Sequence, residues 1–343
     1  MERYTNKHTG EVLSCTFAAA SDLHPDRAVL EGLLTCLREE YGDTYIDRRV
    51  YDLDWLMAET RAGRLLTGVT FTEGGDPAAC LCLRENPPFA GVGDLCMHVV
   101  RKAYRGCGVG TPLVAWLMAR PETARFSAIG SHNATFHILS QRESYACGLR
   151  PCGMLFSLYL SRGFVHSHAN VGDKLSYAVA AMPLERTPVR LCLPAHRRAF
   201  AEEYYASVHT PIQWVEEGPP AECSDLAVLP DETHCTLTLH LRRCGADLEE
   251  RVSALLAEYG PRPMETVSLA LALSDPAAAW GCGVLEALGF RFSGLQPFCR
   301  GEQYLLLHHP LSVPIPFDGM QIDPAYRPMF QAVRAAFSKE DHP

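Results

Sequence analysis

A chain of 343 residues with 47% hydrophobic and 21% charged residues can hold two ordinary domains or one large one, and this balance excludes disorder as its main state. Its 31 basic and 40 acidic residues leave a formal charge of −9, which argues against a non-specific nucleic-acid binder, whose affinity rests on Lys and Arg. Apolar stretches such as Tyr177 to Leu184 and Val267 to Leu273 fall far short of the roughly 20 residues a membrane span requires.

The polar opening Met1-Glu2-Arg3-Tyr4-Thr5-Asn6-Lys7 has no apolar signal segment, so a cytoplasmic protein without a membrane partner is expected. The 14 cysteines are scattered rather than spaced as a disulfide framework, and are read as reduced thiols. Cys80-Leu81-Cys82, His166-Ser167-His168 and His308-His309 lack the CxxC spacing of structural zinc, and no metal is expected.

In chain order, Val12 to Ala19 reads as a strand. Pro25 then opens a helix in which Val29, Leu30, Leu33, Leu34 and Leu37 form an apolar stripe, and Asp54 to Arg61 reads as a second, short helix. Three strand-like runs follow: Leu65 to Thr72, Ala78 to Arg84 and Val92 to Val100. Glu73-Gly74-Gly75-Asp76-Pro77 marks a hairpin between the first two; Pro87-Pro88 and Gly91 separate the second from the third.

The most informative segment comes next: Arg101-Lys102-Ala103-Tyr104-Arg105-Gly106-Cys107-Gly108-Val109-Gly110-Thr111-Pro112, running into the apolar Leu113 to Ala119. This is a strand, a glycine-dense turn and a helix with Pro in its first turn. Glycines remove Cβ atoms where the backbone must approach something, and the helix start offers N–H groups and a positive dipole end, a geometry that cradles phosphate. A Walker A loop would need Lys before the Ser/Thr, and Val109-Gly110-Thr111 has none. A dinucleotide fingerprint would need GxGxxG spacing in the first βα turn, whereas these glycines are spaced GxGxG after a β-meander.

Arg105-Gly106-Cys107-Gly108-Val109-Gly110 resembles the Q/R-x-x-G-x-G/A signature of the GCN5-related N-acetyltransferases (GNAT), in which that loop binds the pyrophosphate of acetyl-CoA. The order of elements agrees over roughly residues 8 to 184, with Phe126 to Gly130, Leu139 to Leu149, Cys152 to Leu160 and Leu175 to Met182 as the later strand, helix and final strand pair. The resemblance implies an α/β fold (α+β, mixed sheet) with a mostly antiparallel sheet flanked by helices.

The rest of the chain repeats the pattern. Gly148-Leu149-Arg150-Pro151-Cys152-Gly153 matches Gly289-Phe290-Arg291-Phe292-Ser293-Gly294, and 289 − 148 = 294 − 153 = 141. The same offset carries Asp94–Val100 onto the alternating run Cys235 to Leu241, and the helix after the glycine loop onto Arg251 to Tyr259. Gly106 to Gly110 map onto Asp247-Leu248-Glu249-Glu250-Arg251, whose carboxylates would repel a pyrophosphate. The expected organisation is therefore tandem GNAT-like domains: 1–184 with the acetyl-CoA loop, 185–310 degenerate and without it, and 311–343 a C-terminal tail with a short helix near Met329 to Phe337.

The resemblance implies direct attack of an amine on the acetyl thioester. Main-chain groups of His98, Val99 and Val100 would hold the thioester; Arg105, Gly106, Cys107, Gly108, Val109, Gly110 and Thr111 would hold the phosphates. Asp94 stands where the family often has a base, with the imidazole of His98 as a rival. The family's tyrosine acid falls at Ser144, a departure, and Tyr145 beside it is the substitute. The family's helix-start asparagine corresponds to His137; His137, Ser140 and Gln141 share a helical face that could meet the pantetheine arm. The reading is an acetyl-CoA-dependent N-acetyltransferase acting on a small-molecule or peptide amine, as monomer or homodimer. Its alternative is a CoA-binding regulatory or sensor module with decayed catalysis.

Overall fold

The computed structural model describes all residues except 1, 7–9, 11, 87–88, 161–173, 261–263, 312–313 and 339–343. Pro87-Pro88 and His166-Ser167-His168 lie outside the described residues. The chain divides into two compact units: the described residues up to His132, and Asn133–Leu160 with those from Lys174 on. This division by compactness does not follow the repeat boundary expected at residue 184.

In the first unit, strands β1 (Glu2–Thr5), β2 (Val12–Ala20), β3 (Leu65–Thr72), β4 (Pro77–Asn86) and β5 (Phe89–Val100) form an antiparallel meander. Strand β6 (Ala128–Ala134), which spans the division, adds to β5 in parallel. The polar opening, which carries no strand signal in the sequence, supplies β1 by pairing Glu2–Thr5 with Cys15–Val12. Helix α1 (Arg27–Tyr41) starts at Asp26, whose carboxylate accepts from the Ala28 N–H at 2.8 Å. Its Leu30, Leu33 and Leu37 are fully buried with Val69, Cys80 and Cys82, each such aliphatic side chain contributing about 1.5–3 kcal/mol. Asp52 caps α2 (Leu53–Arg61) in the same way. Helix α3 (Gly110–Met118) covers the opposite face, where Gly68 admits Leu113 and Leu117.

The second unit holds β7 (Arg150–Leu160), β8 (Lys174–Pro183), β11 (Asp225–Asp231), β12 (Thr236–Arg243), β13 (Thr266–Ala272), β14 (Arg291–Cys299) and β15 (Glu302–Pro310), in the order β8-β7-β14-β15-β13-β12-β11. Only β12 and β13 in that row are parallel. Two short strands, β9 (Val189–Leu191) and β10 (Ile212–Trp214), pair apart from it. The helices are α4 (Leu139–Ala146), α5 (Ala195–Ser207), α6 (Leu248–Tyr259), α7 (Ala278–Ala287) and α8 (Arg327–Ser338).

Hairpins β7/β8 and β14/β15 share their irregularities at the offset of 141 residues. Register slips between Pro151 and Gly153 in one and between Phe292 and Gly294 in the other, and a positive φ recurs at Ser157 (50°) and Phe298 (64°). The offset-related Gly153 and Gly294 pair with each other, so β7 and β14 meet antiparallel through equivalent residues. A Cβ on Gly294, at φ 122°, would overlap the Gly153 Cα, so that position requires glycine, while a Cβ on Gly153 would sit tightly, 3.1 Å from the partner strand's backbone.

The segment after Pro310, expected as a tail, is packed into the second unit. Tyr326 is fully buried, and Met329, Phe330 and Val333 of α8 turn inward. Phe337 of that helix and Phe156 enclose the buried His308 ring, at 6.1 and 5.3 Å between centroids.

Candidate active site

In the first unit the parallel pair β5/β6 is short. Register runs from Val92↔Ala128 to Leu95↔Ser131, after which β5 continues to Val100 with no further β6 partner among the described residues. The divergence coincides with a bulge. On the β4 side Cys82 faces Cys96 but Cys80 faces Val99, and Met97 takes up the extra residue at φ 53°. The main chain of His98, Val99 and Val100 therefore lies where β5 has no β6 partner among the described residues.

The chain then makes one short turn over Lys102–Tyr104 and enters the glycine loop. Gly106 and Gly108 have φ of 84° and 78°, conformations that side chains oppose. A Cβ on Gly108 would meet nothing within 4 Å, so the loop leaves open space there. Helix α3 begins immediately after, with no side-chain cap on its first turn, and Thr111 stands exposed at that start. Backbone donors beside an open, Cβ-free surface fit a phosphate group. Cys107 and Val109, by contrast, are buried, so their contribution to such a site is main chain only.

Arg105 differs from its expected use. Its guanidinium donates to the Val100 carbonyl at 3.0 Å and pairs with Glu40 of α1, so it braces the loop rather than facing a phosphate. Arg101 does likewise: it pairs with Glu39 at 2.6 Å, and the Glu39 carboxylate, which also accepts from the Lys102 N–H, is held below its usual range despite desolvation. Two adjacent α1 carboxylates thus anchor the two ends of the turn that precedes the loop.

Asp94 is 8% exposed and lies on β5 opposite Gly130. Its Oδ2 is 3.0 Å from Nδ1 of His132. His132 sits two residues beyond Gly130 on β6 and so faces the same side of the sheet as Asp94. His132 is one residue past the last paired position, at the mouth of the divergence. Sequence spacing could not reveal this pair, because parallel strands 38 residues apart bring it together. On the other side of β5, Asp94 is in register with Arg84, whose guanidinium is drawn to Asp47 at 2.8 Å and stacks on Trp55. The two arginines Arg49 and Arg84 hold the Asp47 carboxyl below its ordinary value.

In the second unit, α4 carries the remaining candidates. The Ser140 hydroxyl is buried without a hydrogen-bond partner among the described residues, the kind of orphaned group that a ligand's polar atom would satisfy. The His137 ring packs edge-on against Phe136 at 4.8 Å, and burial lowers its pKa. Gln141 is not a cofactor contact. It is fully buried, its amide nitrogen donates to the carbonyls of Ala134, His137 and Gln321, and its oxygen accepts from the Asp323 N–H. It locks α4 to the C-terminal segment, an arrangement across 180 residues that no local pattern signals. Ser144 is buried and donates to Asn133 Oδ1 at 2.8 Å, while Tyr326 Oη accepts from Asn133 Nδ2 at 3.1 Å. Tyr145 is 40% exposed beneath the Arg150 guanidinium at 4.4 Å, so it is neither a core aromatic nor set in a buried site.

The second parallel pair, β12/β13, stays closed. It runs from Thr236↔Thr266 to Leu241↔Leu271 without a gap. Before α6, Gly245 is pressed against the backbone of Cys223 and Ser224, and Asp247 accepts from the Ser224 N–H at 2.7 Å. Glu249 and Glu250 stand in the helix's first turn.

Residues 28–134 match the family described as Acetyltransferase (GNAT) family. No curated relative matches the chain in sequence. Among solved structures, a putative acetyltransferase from Acinetobacter baylyi shares 13% identity, covering 50% of this chain and 94% of its own at a TM-score of 0.38. An N-acetyltransferase from Staphylococcus aureus shares 12%, covering 50% and 99% at 0.39. A putative acetyltransferase from Salmonella typhimurium, solved with acetyl-CoA, shares 15%, covering 50% and 94% at 0.38. At these scores the structural likeness carries no weight for chemistry. The segment that matches the GNAT acetyltransferase family, 28–134, takes in α1 from its second residue on, strands β3 to β6, the open glycine loop and the Asp94–His132 pair.

Proposed function

We propose that the protein transfers an acetyl group from acetyl-CoA to the primary amine of a small molecule or peptide, using one working cradle within residues 1–184. Residues 185–310 are a second, degenerate copy that binds no CoA. The observation that carries this reading is the divergence of β5 from β6 after Leu95↔Ser131, directly before a loop whose Gly108 leaves open space. The shared bulges of the two hairpins and the Gly153↔Gly294 pairing support the duplication. When bound, acetyl-CoA supplies the activated acyl group; the chain's main-chain donors at 98–100 and 106–111 would hold it.

A second reading, a CoA-binding regulatory module, draws support from α4, where Ser144 is spent on Asn133 and Tyr145 faces solvent. Thiol release from acetyl-CoA, followed with spermidine, tyramine, n-butylamine and a peptide with a free N-terminus, separates the two. The transferase reading predicts amine-dependent release with at least one of them. Tight acetyl-CoA binding with no release above the amine-free rate favours the regulatory module.

A further inference from the structure

We propose that the acceptor is an amino acid, with a carboxylate a few bonds from its reacting amine, and that Arg84 holds that carboxylate; this rests on the transferase reading above. Three arginines stand beside α2, and two of them grip a carboxylate side-on. Arg49 does so with Nε and Nη2 on Asp47, both at 2.8 Å. Arg64 uses the same two atoms on Glu59, at 3.0 and 2.6 Å. Arg84 spends only Nη1, on Asp47 at 2.8 Å, and its Nε–Nη2 edge meets no carboxylate among the described residues. That planar edge is one that takes a carboxylate with two parallel hydrogen bonds. Asp47 already receives Arg49 on both oxygens, so its single charge is divided between two guanidiniums.

The Arg84 side chain is 21% exposed, open to a ligand yet held in place. Its guanidinium and that of Arg49 both lie 5.2 Å from the centre of the Trp55 ring. Trp55 and Asp47 together fix the fork before a ligand arrives, which lowers the ordering cost of binding. Arg84 and Asp94 are register partners on β4 and β5, so their side chains share a face of the sheet. It is the face under α1 and α2, because Cys82 and Cys96, two residues from each, join the α1 core with Trp55. The glycine loop leads into α3 on the opposite face. An acceptor beside Arg84 and a CoA on the loop would therefore approach the β5/β6 divergence from opposite sides. Although neighbours, Arg84 and Asp94 do not pair: one turns to Asp47 and the other to His132. A guanidinium and a carboxylate on strands about 4.8 Å apart, turned to different partners, match the two charges of a zwitterion. Its ammonium would lie towards Asp94 and its carboxylate on Arg84. A polyamine would instead set a second cation against the guanidinium.

The test compares amines that differ by one carboxylate, 4-aminobutyrate against n-butylamine and tyrosine against tyramine. It measures kcat and KM separately in the native protein, Arg84→Gln and Arg84→Lys, with circular dichroism to check folding. The native protein should favour the carboxylate-bearing member of at least one pair by on the order of 10-fold or more in kcat/KM. Arg84→Gln should abolish that preference through the KM of the acid. Arg84→Lys, which keeps the charge without the fork, should retain only part of it, and carries the test if Arg84→Gln does not fold. A native protein that favours neither acid, or a preference that survives in Arg84→Gln or stays whole in Arg84→Lys, overturns the assignment while leaving the transferase reading intact. No transfer by the native protein to these or to the amines named above overturns both.

Discussion

The molecule contains two parallel strand pairs of the same ancestry in our reading, and they differ at the point that matters for chemistry. In β5/β6, four residue pairs are followed by separation; in β12/β13, six pairs run on unbroken. The first pair separates where Met97 adopts a positive φ and shifts the β4 register, and no equivalent irregularity interrupts β12 between Thr236 and Leu241. The loops differ in step. Gly108 faces open space, whereas Gly245 is packed on backbone and the following helix carries Asp247, Glu249 and Glu250. A closed pair needs no ligand to satisfy its main chain, and an acidic helix start repels one. The register slip of β12 against β11 falls at Arg242, past the last β12/β13 pair, so the displaced bulge and the lost glycines act in the same direction.

The largest effect on stability should come from the place where the two copies meet through equivalent residues. Gly294→Ala puts a side chain into the Gly153 backbone at φ 122°, and should cost about 3 kcal/mol or more. Gly153→Ala, whose Cβ would sit 3.1 Å from three backbone atoms of the partner strand, should cost less. Urea denaturation of both variants measures the difference; equal, small losses would show that the strands do not need this close approach.

A smaller, pH-dependent effect distinguishes the two hairpins. Arg150 pairs with Ala181 in the first, and its counterpart Arg291 pairs with His308 in the second. Burial pushes the His308 pKa down from 6.5 to about 3, and neither ring nitrogen has a hydrogen-bond partner among the described residues. The unfolded chain therefore binds a proton that the folded chain does not between those two values. Stability present above pH 6.5 is lost as the pH falls toward 3, by up to about 1.4 kcal/mol per pH unit from this group. His308→Leu should flatten the fall of the melting temperature between pH 6.5 and 4.5; an unchanged slope would remove His308 from the account.

Much of this was legible in the sequence, for physical reasons that also mark the limit. Leu65–Thr72 is a strand at both ends as read, because a hairpin turn of two glycines and a proline follows it. The glycine loop was legible because residues with a side chain are strained at φ of 84° and 78°, so glycines mark it in the sequence. The offset of 141 residues pointed to hairpins that share their bulges. His132 was not legible: a lone histidine in a strand has no signature until register sets it diagonal to Asp94. Arg105 was misread because a guanidinium beside a phosphate-type loop suggests a phosphate, while Glu40 lies 65 residues away in sequence. Gln141 was misread because its partners, Gln321 and Asp323, belong to a segment whose sequence suggested only a tail.

The most direct measurement is the stoichiometry of acetyl-CoA binding by isothermal titration calorimetry, on the native protein, Gly108→Glu and Glu249→Gly. The account predicts one acetyl-CoA per native chain and none in Gly108→Glu, which should remain folded because the side chain enters open space, apart from some strain at a φ of 78°. It predicts one in Glu249→Gly, because a closed β12/β13 pair gains no cradle from a single glycine. Two sites per native chain, or binding that survives Gly108→Glu, would contradict it.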